Sequence, residues 1–197
     1  MKKTLIVFLL VLGLFASSLL AQNKSMLVGG VNFGSISYND KDIADMVDVS
    51  SKLGFNVGLE AAAGPLKFGV SYIQRGSTVK VSDYDYKGWE IYNYITGYAL
   101  IPIPLSKQFS LLGGMQVGKC LGGKWEADMY GESDSGTLDA EDFNIDFGIV
   151  VGADIMFSPK VGARASYYYG LSDVAKDIDS NDNYKNNGFG INLLFAL

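Results

Sequence analysis

The chain has 197 residues, 24 of them glycine and 13% aromatic, with one cysteine, no histidine and a formal charge of −5. The acidic balance argues against a nucleic-acid partner, and a lone cysteine, Cys120, excludes an internal disulfide. Without histidine there is no Ser-His-Asp or Cys-His catalysis and no histidine ligation of a metal.

The chain opens MKKTLIVFLLVLGLFASSLLAQ. Lys2 and Lys3, the apolar run Leu5 to Phe15 and the small residues up to Ala21 predict a signal peptide over 1–21. The run is short for a ~20-residue membrane helix. Its removal takes away two lysines and no acid, so the charge moves from −5 to −7. Residues 22–197 then form one domain, and period-2 alternation dominates it. Strands are predicted at 26–38, 51–63, 66–76, 88–103, 108–121, 143–157, 161–171 and 188–197. The connections alternate in length. Long ones cover 39–50, 77–87, 122–142 and 172–187, and short ones lie at Gly64-Pro65, Pro104 to Lys107 and Ser158 to Lys160. Pro65, Pro102, Pro104 and Pro159 lie at or beside the short connections, as expected of a residue that cannot donate to a sheet ladder. Every acid except Glu60, Glu90, Asp146 and Asp154 falls in a long connection, whereas Lys67, Lys107 and Lys160 flank short ones.

FNIDFGIVVGADIMF (143–157) shows how the strands face. Odd positions from Phe143 to Phe157 are all apolar, while even positions carry Asn144, Asp146, Gly148, Gly152 and Asp154. A soluble lipocalin-like barrel would turn the apolar phase inward. The predicted strands run about 10–15 residues, and a tilted strand needs ~9–11 to cross a bilayer. Aromatics flank the apolar faces: Phe68, Phe109, Phe157 and Phe195 near the short turns, Trp89, Phe143, Tyr169 and Phe189 toward the long loops. Two aromatic girdles, short turns on one side and long loops on the other describe an eight-stranded antiparallel up-and-down transmembrane β-barrel of an outer membrane. Its apolar phase meets lipid, and both termini lie in the periplasm. Glycines such as Gly58, Gly69, Gly148 and Gly152 share the inward phase, where a narrow eight-stranded bore is just filled by side chains.

The mature chain resembles the small barrels typified by the OmpA and OmpX transmembrane domains. Through NYITGYALIPIPL (93–105) and SLLGGMQVG (110–118) it resembles, more narrowly, the PorT-like outer-membrane β-barrel family. Barrels of this kind often end in an aromatic residue read by the assembly machinery, whereas this chain ends Phe195-Ala196-Leu197.

Glu60, Lys67, Arg75, Glu90, Asp146, Asp154 and Arg164 all fall in the inward phase and form an interior charge cluster. A buried charge is costly unless paired. At the Ser158–Lys160 turn, Phe157 opposite Val161 brings Asp154 to face Arg164. At Gly64-Pro65, Ala63 opposite Leu66 sets Glu60 diagonal to Lys67. Arg75 and Glu90 are candidates for a third pair. Asp146 and Asp154, eight residues apart or ~26 Å along a strand, do not form one dyad. Inward Cys120 reads as a small packed residue. DIDSNDN (177–183) fails the EF-hand pattern, with Asp182 at position six and Gly188 at position twelve. ESDSGTLDAED (132–142) is acidic without a pattern.

No catalytic, cofactor or metal residues are expected. The sequence reads as a non-enzymatic barrel with a structural or surface-interaction role through its acidic outer loops. Its expected partners are outer-membrane lipid and lipopolysaccharide, the outer-membrane assembly machinery, and an extracellular or envelope protein. The PorT-like resemblance implies an accessory of a secretion or envelope-assembly system. A narrow porin-like channel is disfavoured by the small lumen of eight strands.

Overall fold

A computed structural model describes residues 25–38, 47–81, 86–176 and 184–197. The expected signal peptide and the segment 177–183 lie outside the described residues. Those described form β1 (Ser25–Tyr38), β2 (Asp48–Ala63), β3 (Leu66–Val81), β4 (Tyr86–Pro104), β5 (Phe109–Met129), β6 (Glu132–Leu138), β7 (Ile145–Met156), β8 (Val161–Gly170) and β9 (Tyr184–Ala196). All strands but β6 form a closed antiparallel ring, in which β5 passes directly to β7 and β9 returns to β1. The closing seam runs from Met26 opposite Ala196 to Tyr38 opposite Tyr184.

One rim carries the short turns. Gly64, at φ 60°, lets the chain reverse between the facing residues Ala63 and Leu66. The other two turns each begin with a serine whose hydroxyl accepts backbone N–H groups. Ser106 Oγ takes those of Gln108 and Phe109 at 3.2 and 3.0 Å, and Ser158 Oγ those of Lys160 and Val161 at 3.2 and 3.1 Å.

The other rim departs from expectation. Segments 77–87 and 122–142 are largely sheet rather than loop. β3 continues to Val81, β4 begins at Tyr86, and β5 runs 21 residues before folding back on β6. The turn between β5 and β6 is Tyr130-Gly131, with φ of 55° and 82°. Two consecutive positive values match the primed turn that suits a twisted hairpin. Lys124, Glu126 and Asp128 alternate with Trp125, Ala127 and Met129, so the strand period was present beneath the charge. Of the acidic stretch 132–142, β6 takes the first seven residues and a 3-10 turn (Ala140–Asp142) most of the rest.

A bulge sets the facing of this hairpin. Asn93 pairs with Gly122 and Tyr94 with Cys120, leaving Leu121 without a partner. Below the bulge, even residues of β5 (Leu112, Cys120) point inward; above it, Gly123 and Trp125 do, opposite the inward Tyr92 and Glu90.

Throughout the ring the outward phase is apolar. Val57, Ile101, Met115, Val151, Ile191 and Leu193 are all exposed, whereas Glu60, Asp146, Asp154 and Arg164 are buried. That is the reverse of a soluble barrel and suits a lipid surround. Among the described residues no helix is long and apolar enough to cross a membrane; the crossing elements are strands.

Phe68, Phe157, Tyr169, Phe189 and Phe195 are exposed on the outward face, and Phe109 is half-buried there. Phe33, Phe189 and Tyr167 stand side by side across β1, β9 and β8. One expected girdle member lies elsewhere. Phe143 precedes β7 and is buried, its ring packed edge-on against Tyr92 at 5.1 Å. An isolated bridge to Ala175 draws it over the end of the bore. Trp89 faces outward at the end of the apolar belt, opposite Thr78 and Glu126.

Gly69 shows why small residues line the bore. A Cβ there would come within 2.1 Å of the Tyr98 ring, which crosses β3 to reach Glu60. Gly69→Val is therefore expected to displace Tyr98 and destabilise the barrel by about 1–3 kcal/mol. Urea unfolding followed by heat-modifiable gel migration measures this, and an unchanged midpoint would contradict it.

Candidate functional site

The inward residues of eight strands meet in the bore and divide into layers. Nearest the short-turn rim, Arg164 on β8 lies directly opposite Asp154 on β7. Its Nε and Nη2 donate to Asp154 Oδ1 and Oδ2 at 2.7 and 3.0 Å, and its Nη1 and Nη2 donate to Glu60 Oε2 and Oε1 at 2.6 and 3.0 Å. The planar guanidinium thus holds two carboxylates, one on each edge. Lys67 Nζ donates to Asp154 Oδ2 at 2.6 Å and lies 3.5 Å from Glu60 Oε1. Tyr98 Oη donates to Glu60 Oε2 at 3.1 Å. Each buried acid therefore has cationic and hydrogen-bond partners, which is what makes burial of such charges tolerable.

Above this layer sits a plate of Leu100, Leu112, Val150 and Tyr168, with Tyr98 packed against it. A second ionic layer follows. Arg75 Nη1 donates to Asp146 Oδ2, Tyr168 Oη to Asp146 Oδ1 at 2.6 Å, and Asn186 Nδ2 to Asp146 Oδ2 at 3.1 Å. The Arg75 guanidinium also lies 3.9 Å from the ring centre of Tyr168 and 5.5 Å from that of Tyr94. Arg75 therefore pairs with Asp146, not with Glu90. Glu90 faces inward above the bulge and accepts the Tyr92 hydroxyl. Burial raises its carboxyl above the usual range.

The bore closes on an apolar cap of Ile36, Tyr92, Tyr94, Cys120 and Phe143, against which Leu138 and Tyr184 pack. Cys120 is buried in this cap. Between the ionic layers the bore is not wholly filled. A cavity of about 80 Å³ lies against the wall made by β9, β1 and β2, lined by Asn32, Asn56, Asn192, Arg75 and Arg164 among others. Asn32 Oδ1, Asn192 Oδ1 and Arg75 Nη2 are buried there without a protein hydrogen-bond partner, in a space polar and large enough for ordered solvent.

Sequence reading paired Asp154 with Arg164 and set Glu60 diagonal to Lys67; the structure joins the two pairs through Arg164–Glu60 and Lys67–Asp154 contacts, and the partners of Asp146 were missed. Asn186, Tyr168 and Arg75 come from three other strands; only Tyr168 is joined to β7 by a short turn, and it stands opposite Val150 rather than Asp146, so cross-strand pairing did not point to it. The inward phase of Tyr168 and Arg75 was the only signal, and Asn186 fell within the expected connection 172–187. Among the described residues no group of three or more Cys, Asp or Glu side chains is gathered as a metal site.

A family model described as an outer membrane protein beta-barrel domain matches residues 6–195. No curated protein matches the sequence. Among solved structures, the chain is similar to Neisserial surface protein A (NspA), with 15% identity, a TM-score of 0.55, and coverage of 88% of this chain and 97% of that one. It is also similar to Ail, the attachment invasion locus protein of Yersinia pestis, with 16% identity, a TM-score of 0.54 and the same coverages. A complex of Ail with the heparin analogue sucrose octasulfate matches at 17% identity and a TM-score of 0.50, covering 87% and 97%. At these identities the likeness establishes the fold. The family match is to the general barrel domain and does not single out a PorT-like subgroup.

Removing the guanidinium of Arg164 leaves Glu60 and Asp154 sharing only Lys67. Arg164→Met is expected to destabilise the folded barrel by about 3–5 kcal/mol. The double change Glu60→Gln, Arg164→Met, which leaves Asp154 paired with Lys67, should recover much of that loss. Equilibrium unfolding in urea compares the two, and a single variant as stable as the parent would show that the layer is not a stabilising unit.

Proposed function

The chain belongs to the outer membrane protein beta-barrel domain family, and on that premise we propose that it is a non-enzymatic surface-interaction barrel rather than a channel. The reading rests on one observation above the others: two ionic layers, an apolar plate and an aromatic cap fill successive levels of the bore. What the fold leaves to solvent is the rim where β3, β4, β5 and β6 rise beyond the belt. We assign that rim to the cell exterior and the short-turn rim, with both chain ends, to the periplasm, following the usual asymmetry of such barrels.

The β5–β6 hairpin is the element suited to contact a partner. β6 pairs only with β5 among the described residues, so its other edge has free backbone groups. Glu132 and Asp134 on that edge strand repel a second copy of themselves and favour a basic segment. Similarity to surface proteins such as NspA and Ail supports a surface role at the level of fold.

Two measurements test the proposal. Purified full-length protein in planar bilayers should show no steady conductance, and sustained single-channel steps would overturn the sealed-bore reading. Ser133→Cys should be labelled on intact cells by a membrane-impermeant maleimide, while Ser158→Cys should not. The reverse pattern would invert the orientation. Stable co-purification with secretion components would favour the accessory role that the PorT-like resemblance implies.

A further inference from the structure

The risen sheet has two faces, and they differ in charge. On the face continuous with the outward apolar belt, Ser50, Thr78, Trp89 and Glu126 stand side by side across β2 to β5, and beyond them Asp48, Lys80, Lys87 and Asp128. Lys124 shares this face, diagonal to Trp89. Lys52 joins it from the irregular stretch of β2, its Nζ 3.7 Å over the Trp89 ring. β6 adds only Ser133, Ser135 and Thr137 here, because its acids Glu132 and Asp134 point to the other face.

The face carries four lysines, Lys52, Lys80, Lys87 and Lys124, against three acids, Asp48, Glu126 and Asp128, a surplus of one positive charge where an otherwise acidic chain meets the end of its apolar belt. Leu53 and Phe55 are the last exposed apolar residues of β2 before Lys52. On β5, Lys119 and Lys124 bracket the exposed Leu121. Lys80 lies directly opposite Lys87, a like-charge pairing that is unfavourable across strands. None of Lys52, Lys80, Lys87 and Lys124 forms an ion pair with a described carboxylate. Burial lowers the Lys52 pKa; Glu126 opposes that shift and Lys87 adds to it, so these groups sense one another across the face.

We propose that this lysine–tryptophan face binds the phosphates of the phosphorylated glycolipid in the adjoining membrane leaflet. Lys52, stacked on the Trp89 indole, and Lys124, diagonal to it, stand at the height where a headgroup begins, so their ammonium groups donate to phosphate oxygens beside the indole. Lys80 and Lys87, one row farther out, take a second anionic group and lose their mutual repulsion. The belt below holds the acyl chains. This places the ligand on the outer wall of the barrel, separate from the hairpin edge, and it rests on the assignment of this rim to the cell exterior.

The test uses full-length protein folded in neutral detergent, with Trp125→Phe leaving Trp89 as its sole tryptophan, and titrates diphosphoryl lipid A while following Trp89 fluorescence. Binding is expected to weaken roughly tenfold or more in Lys52→Gln/Lys124→Gln and with dephosphorylated lipid A. It should be unchanged in Lys107→Gln/Lys160→Gln at the opposite rim. Heat-modifiable migration verifies that each variant is folded, and Lys80→Gln/Lys87→Gln gives an independent, smaller loss. Equal binding of the dephosphorylated lipid, or full affinity in both lysine variants, would overturn the proposal. So would equal affinity for soluble sucrose octasulfate, which would point to a sulfated glycan rather than a lipid. The micelle measurement does not depend on orientation, so its failure is distinct from failure of the maleimide labelling.

Discussion

A sheet that crosses a bilayer can leave no N–H or C=O group unpaired in the hydrocarbon, and ring closure is the only way a sheet meets that condition. The pairing of β1 with β9 satisfies it here, and the rest of the molecule follows. Closure gives every crossing strand two neighbours and therefore two faces of opposite environment. The period of two then sends large apolar side chains to lipid and confines all other chemistry to a narrow bore. Glycine at positions such as Gly69 is the geometric consequence, since a bore this tight admits a tyrosine only where the facing wall has no side chain.

Within that bore the problem is to bury charge without leaving any of it alone. Each ionic layer solves it differently. Arg164 is a fork between two carboxylates, and Lys67 contacts both of them again. Asp146 instead collects one arginine, one phenol and one amide, and its arginine is held between two aromatic rings. The layers contain Lys67, Arg75 and Arg164 against Glu60, Asp146 and Asp154. The membrane-embedded core is therefore electrically balanced, which limits the cost of placing it in a low-dielectric surround. Glu90, held by the Tyr92 hydroxyl and without an ion-pair partner among the described residues, lies outside that core, above the bulge.

Much of this was legible in the sequence. Strand number in the ring, outward phase and the pairing of Asp154 with Arg164 follow from alternation plus a short turn, because a short turn fixes register. Where the intervening segment is long, register is not encoded locally. The Arg75–Glu90 expectation failed for that reason: Arg75 reaches Asp146, separated from it by 71 residues. The β5–β6 hairpin was hidden by a second effect. Its strands are amphipathic in water rather than in lipid, so charge density suggested a loop although Tyr130-Gly131 and the alternation around it encode a turn. Phe143 was misplaced because the strand phase was extended two residues past the start of β7.

The Leu121 bulge has a consequence beyond local geometry. One extra residue inverts which half of every later position on β5 faces outward, and pairing passes that inversion to β6. The same segment in unbroken register would aim Lys124 and Glu126 at the barrel axis and Trp125 away from it. A single insertion or deletion at this point is therefore a coarse dial on surface chemistry: it exchanges the two faces of a hairpin at once, leaves the ring beneath untouched, and offers a route to a new surface that no series of individual substitutions matches.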